Sequence, residues 1–91
     1  WVWPGGQWYD GYSHHPVALF DDVDRSNIPP FRLLLRLLDR YPMNVPIKGG
    51  FVPWRPKIIY FTTNVPVDSW FFDLDCFDPL MRRIDSIINV T

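Results

Sequence analysis

Much that would announce a chemistry outright is missing from this sequence. One cysteine, Cys76, stands among 91 residues, which excludes an internal disulfide and the common zinc patterns. The two histidines are neighbours, His14 and His15. Adjacent residues of an extended chain point to opposite faces, so they make a poor chelating pair. No apolar run approaches the roughly 20 residues that span a bilayer, and no membrane partner is expected. The charges nearly cancel, at a formal net charge of −1, so any site for a polyanion has to be local. The phosphate-cradling pattern G-x-x-x-x-G-K-[ST] does not occur: neither Gly5-Gly6 nor Gly49-Gly50 leads into Lys and Ser or Thr. The opening Trp1-Val2-Trp3 carries no signal-peptide pattern and reads as though cut from something longer.

What is present is a core. Apolar residues make up 47% and aromatics 18%, the composition of a single folded domain. Val17-Ala18-Leu19-Phe20-Asp21-Asp22 puts four apolar residues before two carboxylates, as a buried central strand delivering acid to the rim of a sheet. A second apolar run, Lys57 to Thr63, ends in Asn64. Ligands of open α/β sheets sit outside the carboxyl ends of the strands, so the two tips suggest one site assembled from two places. The plainer alternative is that Asp21 and Asp22 open a loop.

The remaining segments fall around these strands. Trp1 to Trp3 end another strand, broken by Pro4-Gly5-Gly6; Gln7 to Tyr12 form an aromatic turn expected to pack on the sheet in preference to stacking on bases, no basic residue lying among its aromatics. A helix is expected from Pro30 to Arg40, capped by Ser26 or Asn27, with Phe31, Leu34, Leu35 and Leu38 as its apolar stripe and Tyr41-Pro42 as its stop. Lys48-Gly49-Gly50 between Met43–Ile47 and Phe51–Trp54 signals a hairpin. Pro46 and Pro53 deny it a continuous ladder, so it should project from the sheet with its lysine exposed. Asp68 is placed to cap a short helix through Trp70, Phe71 and Phe72, Asp73 to Asp78 form an acidic loop, and Asp78-Pro79 opens a helix carrying Arg82 and Arg83. Ile84 to Val90 read as a closing strand. This order fits an α/β layer on a largely parallel sheet.

As chemistry, the polar tips supply part of a phosphoryl-transfer site. Asp21 and Asp22 are acids for Mg²⁺, Asn64 a water-orienting amide, and Arg82 or Arg83 a cation for developing charge. From Trp8 to Ile84 the chain resembles the helicase half of replication-associated (Rep) proteins of circular single-stranded DNA viruses, circovirus-like ones especially. The resemblance is carried by Trp8-Tyr9-Asp10-Gly11-Tyr12, Leu19-Phe20-Asp21-Asp22, Leu34 to Pro42, Lys48-Gly49-Gly50, Thr62-Thr63-Asn64 and Arg82-Arg83-Ile84. That family belongs to the superfamily 3 helicases, related to AAA+ ATPases.

The resemblance implies an AAA+/P-loop-like, mostly parallel sheet flanked by helices with a projecting hairpin, residues 1–91 forming a partial domain. It implies that Asp21 and Asp22 are Walker B acids binding Mg²⁺, and that Asn64 is the motif C sensor of the γ-phosphate of ATP. Lys48, with Gly49 and Gly50, becomes the nucleic-acid-binding hairpin tip, and Arg82 or Arg83 the arginine finger. The implied setting is ATP-driven unwinding in rolling-circle replication, in a homo-oligomeric ring on single-stranded DNA, with RNA as the alternative strand, in the host nucleus. Val23-Asp24-Arg25-Ser26 departs from the aromatic and Gly-Trp usual after the acids in circoviruses. With Walker A upstream in that family, the chain reads as a fragment beginning between that loop and Walker B, inactive alone. The rivals are an RNA-virus helicase of the same superfamily and a catalytically silent interaction module. For Arg82 and Arg83 the bland role is charge balance against Asp75, Asp78 and Asp85.

Overall fold

The computed structural model describes residues 1–71 and 77–88. Strand β1 spans Val17–Phe20 and β4 spans Ile58–Phe61, both inside the runs expected from sequence. They pair in parallel, Val17 opposite Ile58 through Phe20 opposite Phe61. On the other side of β1, Val2 bridges Leu19 in parallel, with Trp3 N–H donating to the Leu19 carbonyl and Leu19 N–H to that of Trp1, both at 2.8 Å. β1 is therefore central. The protein is a small α/β fold: this parallel sheet, a separate antiparallel hairpin, and short helices.

Burial of the central strand differs from expectation. Ala18 and Phe20 are fully buried, but Val17, Ile58 and Tyr60 are 37%, 47% and 56% exposed. Alternation explains it. The face carrying Ala18 and Phe20 is packed, and the described residues leave the opposite face, with Val2, Val17, Ile58 and Tyr60, open to solvent. The packed face is aromatic. Phe20 stacks on Phe61 at 4.9 Å, and Trp54 meets Tyr12 at 4.7 Å and Tyr9 edge-on at 5.8 Å. The aromatic turn thus packs inward through Tyr9 and Tyr12, while Trp8 stays 37% exposed.

Helix α1 covers Phe31–Leu37, shorter than expected. Neither Ser26 nor Asn27 caps it: Pro30 holds the N-cap position with no side-chain cap, and Ser26 instead donates from its amide and its hydroxyl to Asp24 Oδ1. Its buried line is Leu34 and Leu37, with Phe31, Leu33, Leu35 and Leu38 partly buried. The Leu37 carbonyl, one of the end carbonyls that a helix leaves without a partner of its own, accepts the buried indole N–H of Trp54 at 2.9 Å.

Strands β2 (Met43–Ile47) and β3 (Gly50–Trp54) form the hairpin around a two-residue turn, Lys48-Gly49. Gly49 sits at φ 95°, a value that side chains rarely tolerate. Contrary to expectation, the ladder is unbroken. Pro46 faces Phe51 and Pro53 faces Asn44; both fall on the alternate pairs that an antiparallel ladder leaves without mutual hydrogen bonds, so no missing N–H is felt. The hairpin is tied down along one side, with Tyr9 N–H donating to the Pro46 carbonyl at 2.8 Å and Lys48 N–H to Asp10 Oδ1 at 2.8 Å.

Beyond β4, Val67–Ser69 make one 3₁₀ turn with no side-chain cap, so Asp68 does not cap as expected. Helix α2 is Asp78–Met81. The expected closing strand does not form over Ile84 to Ile88, where Ile87 and Ile88 stand 54% and 82% exposed. Phe72, Asp73, Asp75, Cys76 and Val90 lie outside the described residues.

Candidate nucleotide and strand-binding sites

The parallel pairing of β1 and β4 puts both strand tips at one end of the sheet, and the polar residues there meet. Asn64 Nδ2 donates to Asp22 Oδ1 at 3.2 Å. Thr62 joins the acids: its hydroxyl donates to Asp21 Oδ1 at 2.6 Å and accepts the Asp22 amide at 2.6 Å. The backbone closes the same seam, since Thr62 N–H donates to the Phe20 carbonyl and Val23 N–H to that of Thr62, at 3.0 and 2.8 Å. Beneath it, Thr63 Oγ1 donates to the Val23 carbonyl at 2.7 Å and takes the Trp70 indole N–H at 3.2 Å. Sequence reasoning missed Thr62 as a site residue; its position two before Asn64, level with the acids in a parallel register, was the available signal.

Asp22 sits at φ 55°, in the left-handed region. Aspartate is one of the few residues that enters it readily, and such outliers gather at functional sites. The twist turns the chain sharply after Asp21, so that Asp21 meets the hydroxyl of Thr62 and Asp22 the amide of Asn64. Both carboxylates are exposed, and neither is paired with a cation among the described residues. Two hard oxygen donors at a strand end fit Mg²⁺, which takes one or two protein carboxylates and completes its shell with water and phosphate. No group of three His, Cys, Asp or Glu is placed to hold a metal among the described residues, so a self-sufficient protein cage is not what these acids form.

Lys48 is exposed at the hairpin tip, as the turn predicts. Its backbone amide is fixed by Asp10, leaving the ammonium without an anionic partner among the described residues. The arginines separate. Arg83 Nε pairs with Asp39 Oδ1 at 2.8 Å and its Nη1 donates to the Pro79 carbonyl at 2.6 Å, tying α2 to the end of α1. Its partner is thus Asp39, not Asp78 or Asp85 as the charge-balance reading held. Arg82 is exposed and, among the described residues, makes one long local contact, Nε to the Asp78 carbonyl at 3.4 Å.

Beside these acids on one parallel strand, the polar tip on its neighbour and the separate hairpin with a lysine at its turn stands a match in sequence: residues 1–65 fit the family model described as RNA helicase. The chain belongs to that family, as a superfamily 3 helicase segment of the Rep type. It is 43% identical over 81 residues to the replication-associated protein of pigeon circovirus, covering 88% of this chain and 25% of that protein. Against the same-named protein of beak and feather disease virus it is 41% identical over 83 residues, 90% of this chain and 28% of the relative. For porcine circovirus 2 the figures are 37% over 90 residues, 97% and 28%. The chain spans about a quarter of the length of the curated relatives it matches.

Proposed function

We propose that this chain forms the Walker B, hairpin, motif C and arginine-finger portion of an ATP-driven viral Rep helicase that unwinds DNA during rolling-circle replication. The observation that carries the reading is the meeting of Asn64, Asp22, Thr62 and Asp21 at one sheet end. On this reading the sheet is part of a P-loop-like, AAA+-related layer. The phosphate cradle, which the 91 residues do not contain, belongs to a longer protein carrying this chain.

Asp21 and Asp22 are the residues that would hold Mg²⁺, which when bound neutralises charge on the β- and γ-phosphate oxygens. Thr62 keeps Asp21 turned toward Asp22. Asn64, held against Asp22, orients the attacking water and senses the γ-phosphate. Arg82, unpaired by any carboxylate among the described residues, is the better placed of the two arginines to reach a neighbouring subunit's nucleotide. Lys48 takes strand phosphates in the pore of a homo-oligomeric ring, acting in the host nucleus. Without the cradle the phosphates lack backbone donors, so the 91-residue chain alone does not turn over ATP.

The test is strand displacement and ATP hydrolysis by the full-length protein with Asp21→Asn and Asp22→Asn. Loss of both activities with an unchanged circular-dichroism spectrum is expected; retained hydrolysis in both variants overturns the reading. The family's own description favours a second reading, translocation on RNA. Matched DNA and RNA duplexes in the same assay distinguish them.

A further inference from the structure

Phe51 is 72% exposed on a hairpin that is otherwise held by its ladder and by hydrogen bonds from Tyr9 and to Asp10. The register explains why the ring faces out. Val45, Val52 and Trp54 share the inward face, and the alternate pairs Pro46 opposite Phe51 and Asn44 opposite Pro53 share the outer one. That outer face carries no charge. Its two ends do, Lys48 at the turn and Arg55 just past β3, both exposed and neither paired with a carboxylate among the described residues. The nearby carboxylate of Asp10 is engaged by the Lys48 backbone amide. Toward the base, Pro42, Met43, Asn44, Pro53, Trp54 and Arg55 line a shallow groove of about 220 Å³.

We infer that Phe51 is a base-stacking platform, on which an unpaired base of single-stranded DNA lies while Lys48 neutralises an adjacent phosphate. The inference deepens the hairpin's role proposed above and rests on it. Binding of single strands without sequence preference combines cations along the backbone with aromatic rings beneath the bases, and this face offers both within one hairpin. Duplex bases are already stacked on each other, so an exposed ring selects a single strand. The ring is also pre-positioned: two prolines stiffen the strands, and the Tyr9 and Asp10 hydrogen bonds hold the hairpin in place, reducing what must be ordered on binding. Because every base has a π-face, the platform is indifferent to sequence.

The experiment is fluorescence-anisotropy titration of the full-length protein with oligothymidylate and oligodeoxyadenylate over a range of salt. Phe51→Ala, Phe51→Tyr and Lys48→Ala are compared with the parent, and 2-aminopurine in the strand reports stacking. Phe51→Ala should weaken binding about five- to a hundredfold, the range for losing one base stack, with the salt slope unchanged and the quenching of 2-aminopurine abolished. Phe51→Tyr keeps the ring and should bind like the parent. Lys48→Ala should instead flatten the slope of log affinity on log salt by about 0.7 for each phosphate no longer neutralised. If Lys48→Ala flattens the slope but Phe51→Ala binds and quenches like the parent, the platform is wrong and the hairpin reading stands. A change in oligomeric state on Phe51→Ala with affinity intact likewise overturns the platform, assigning the ring to an interface between copies. An unchanged slope in Lys48→Ala removes the hairpin reading itself.

Discussion

The side-chain amide of Asn64 donates to Oδ1 of Asp22 across 3.2 Å, joining residues 42 positions apart in the chain. The parallel register brings them together, because β1 and β4 end at the same level and the following residues turn toward each other. Asn64→Ala removes the donor while leaving the strand intact. Hydrolysis in the full-length protein should fall about a hundredfold, the scale of a misplaced reacting group, with nucleotide affinity nearly unchanged. Steady-state rates and nucleotide affinity of the two full-length proteins, measured side by side, check this.

Thr62 serves both acids through one hydroxyl. Thr62→Val conserves shape and removes both hydrogen bonds, freeing Asp21 and leaving the Asp22 amide without its acceptor. A residue that orients metal-binding carboxylates in this way typically accounts for roughly ten- to a hundredfold in metal affinity or activity. The concentration of Mg²⁺ giving half-maximal hydrolysis should rise by that factor, and Thr62→Ser should restore it. A merely structural threonine would lower the melting temperature without moving the Mg²⁺ dependence.

Arg82 and Arg83 are neighbours in sequence and unlike in setting. Arg83 is about one-quarter exposed and holds Asp39 and the Pro79 carbonyl. Arg83→Ala should therefore destabilise the fold, by at most about 1 kcal/mol given the exposure of the pair, as read from a denaturant midpoint. On the proposed reading, Arg82→Ala should leave that midpoint alone and instead cut hydrolysis by the full-length protein by about 10³-fold or more, the scale of a finger in trans. Mixing Arg82→Ala subunits with Asp22→Asn subunits should restore activity at mixed interfaces. Failure of that complementation would place the finger elsewhere.

How far the sequence disclosed this arrangement follows from the range of the forces involved. The two parallel strands were legible because short apolar runs rich in strand formers end at polar turn residues, although only one face of them is packed, and the hairpin because Gly49 can take the positive φ that its turn requires. The acids and Asn64 were legible as strand tips. What escaped depends on partners distant in the chain. The end of helix α1 is satisfied from afar, the Trp54 indole donating to the carbonyl of Leu37, which nothing between Pro30 and Tyr41 encodes. Arg83 finds Asp39, 44 positions away, and not Asp78 or Asp85, a pairing that the local charge pattern does not encode. Ile84 to Ile88 have a strand's composition, but among the described residues no strand pairs with them, and β-propensity without a partner does not make a sheet.

Tyr9 gives a prediction that is independent of any nucleotide. Its ring is fully buried against Trp1 and Trp54, and its hydroxyl finds no partner among the described residues. Burial pushes the phenol well above its ordinary pKa near 10. In the unfolded chain it ionises at the ordinary value, whereas in the folded protein it stays neutral. The stability associated with this group is therefore fully present below about pH 10 and is lost as pH rises from there toward the raised folded-state value, because the unfolded state gives up its proton first. Tyr9→Phe removes both the ionisation and the orphaned hydroxyl. It should stabilise the fold by about 1 kcal/mol at neutral pH, the low end of the cost of an unsatisfied buried group. The gain should widen above about pH 10. Urea midpoints of the two proteins at about pH 7 and about pH 10.5 measure it directly: a substitution that destabilises at both would mean that the hydroxyl is hydrogen-bonded in solution.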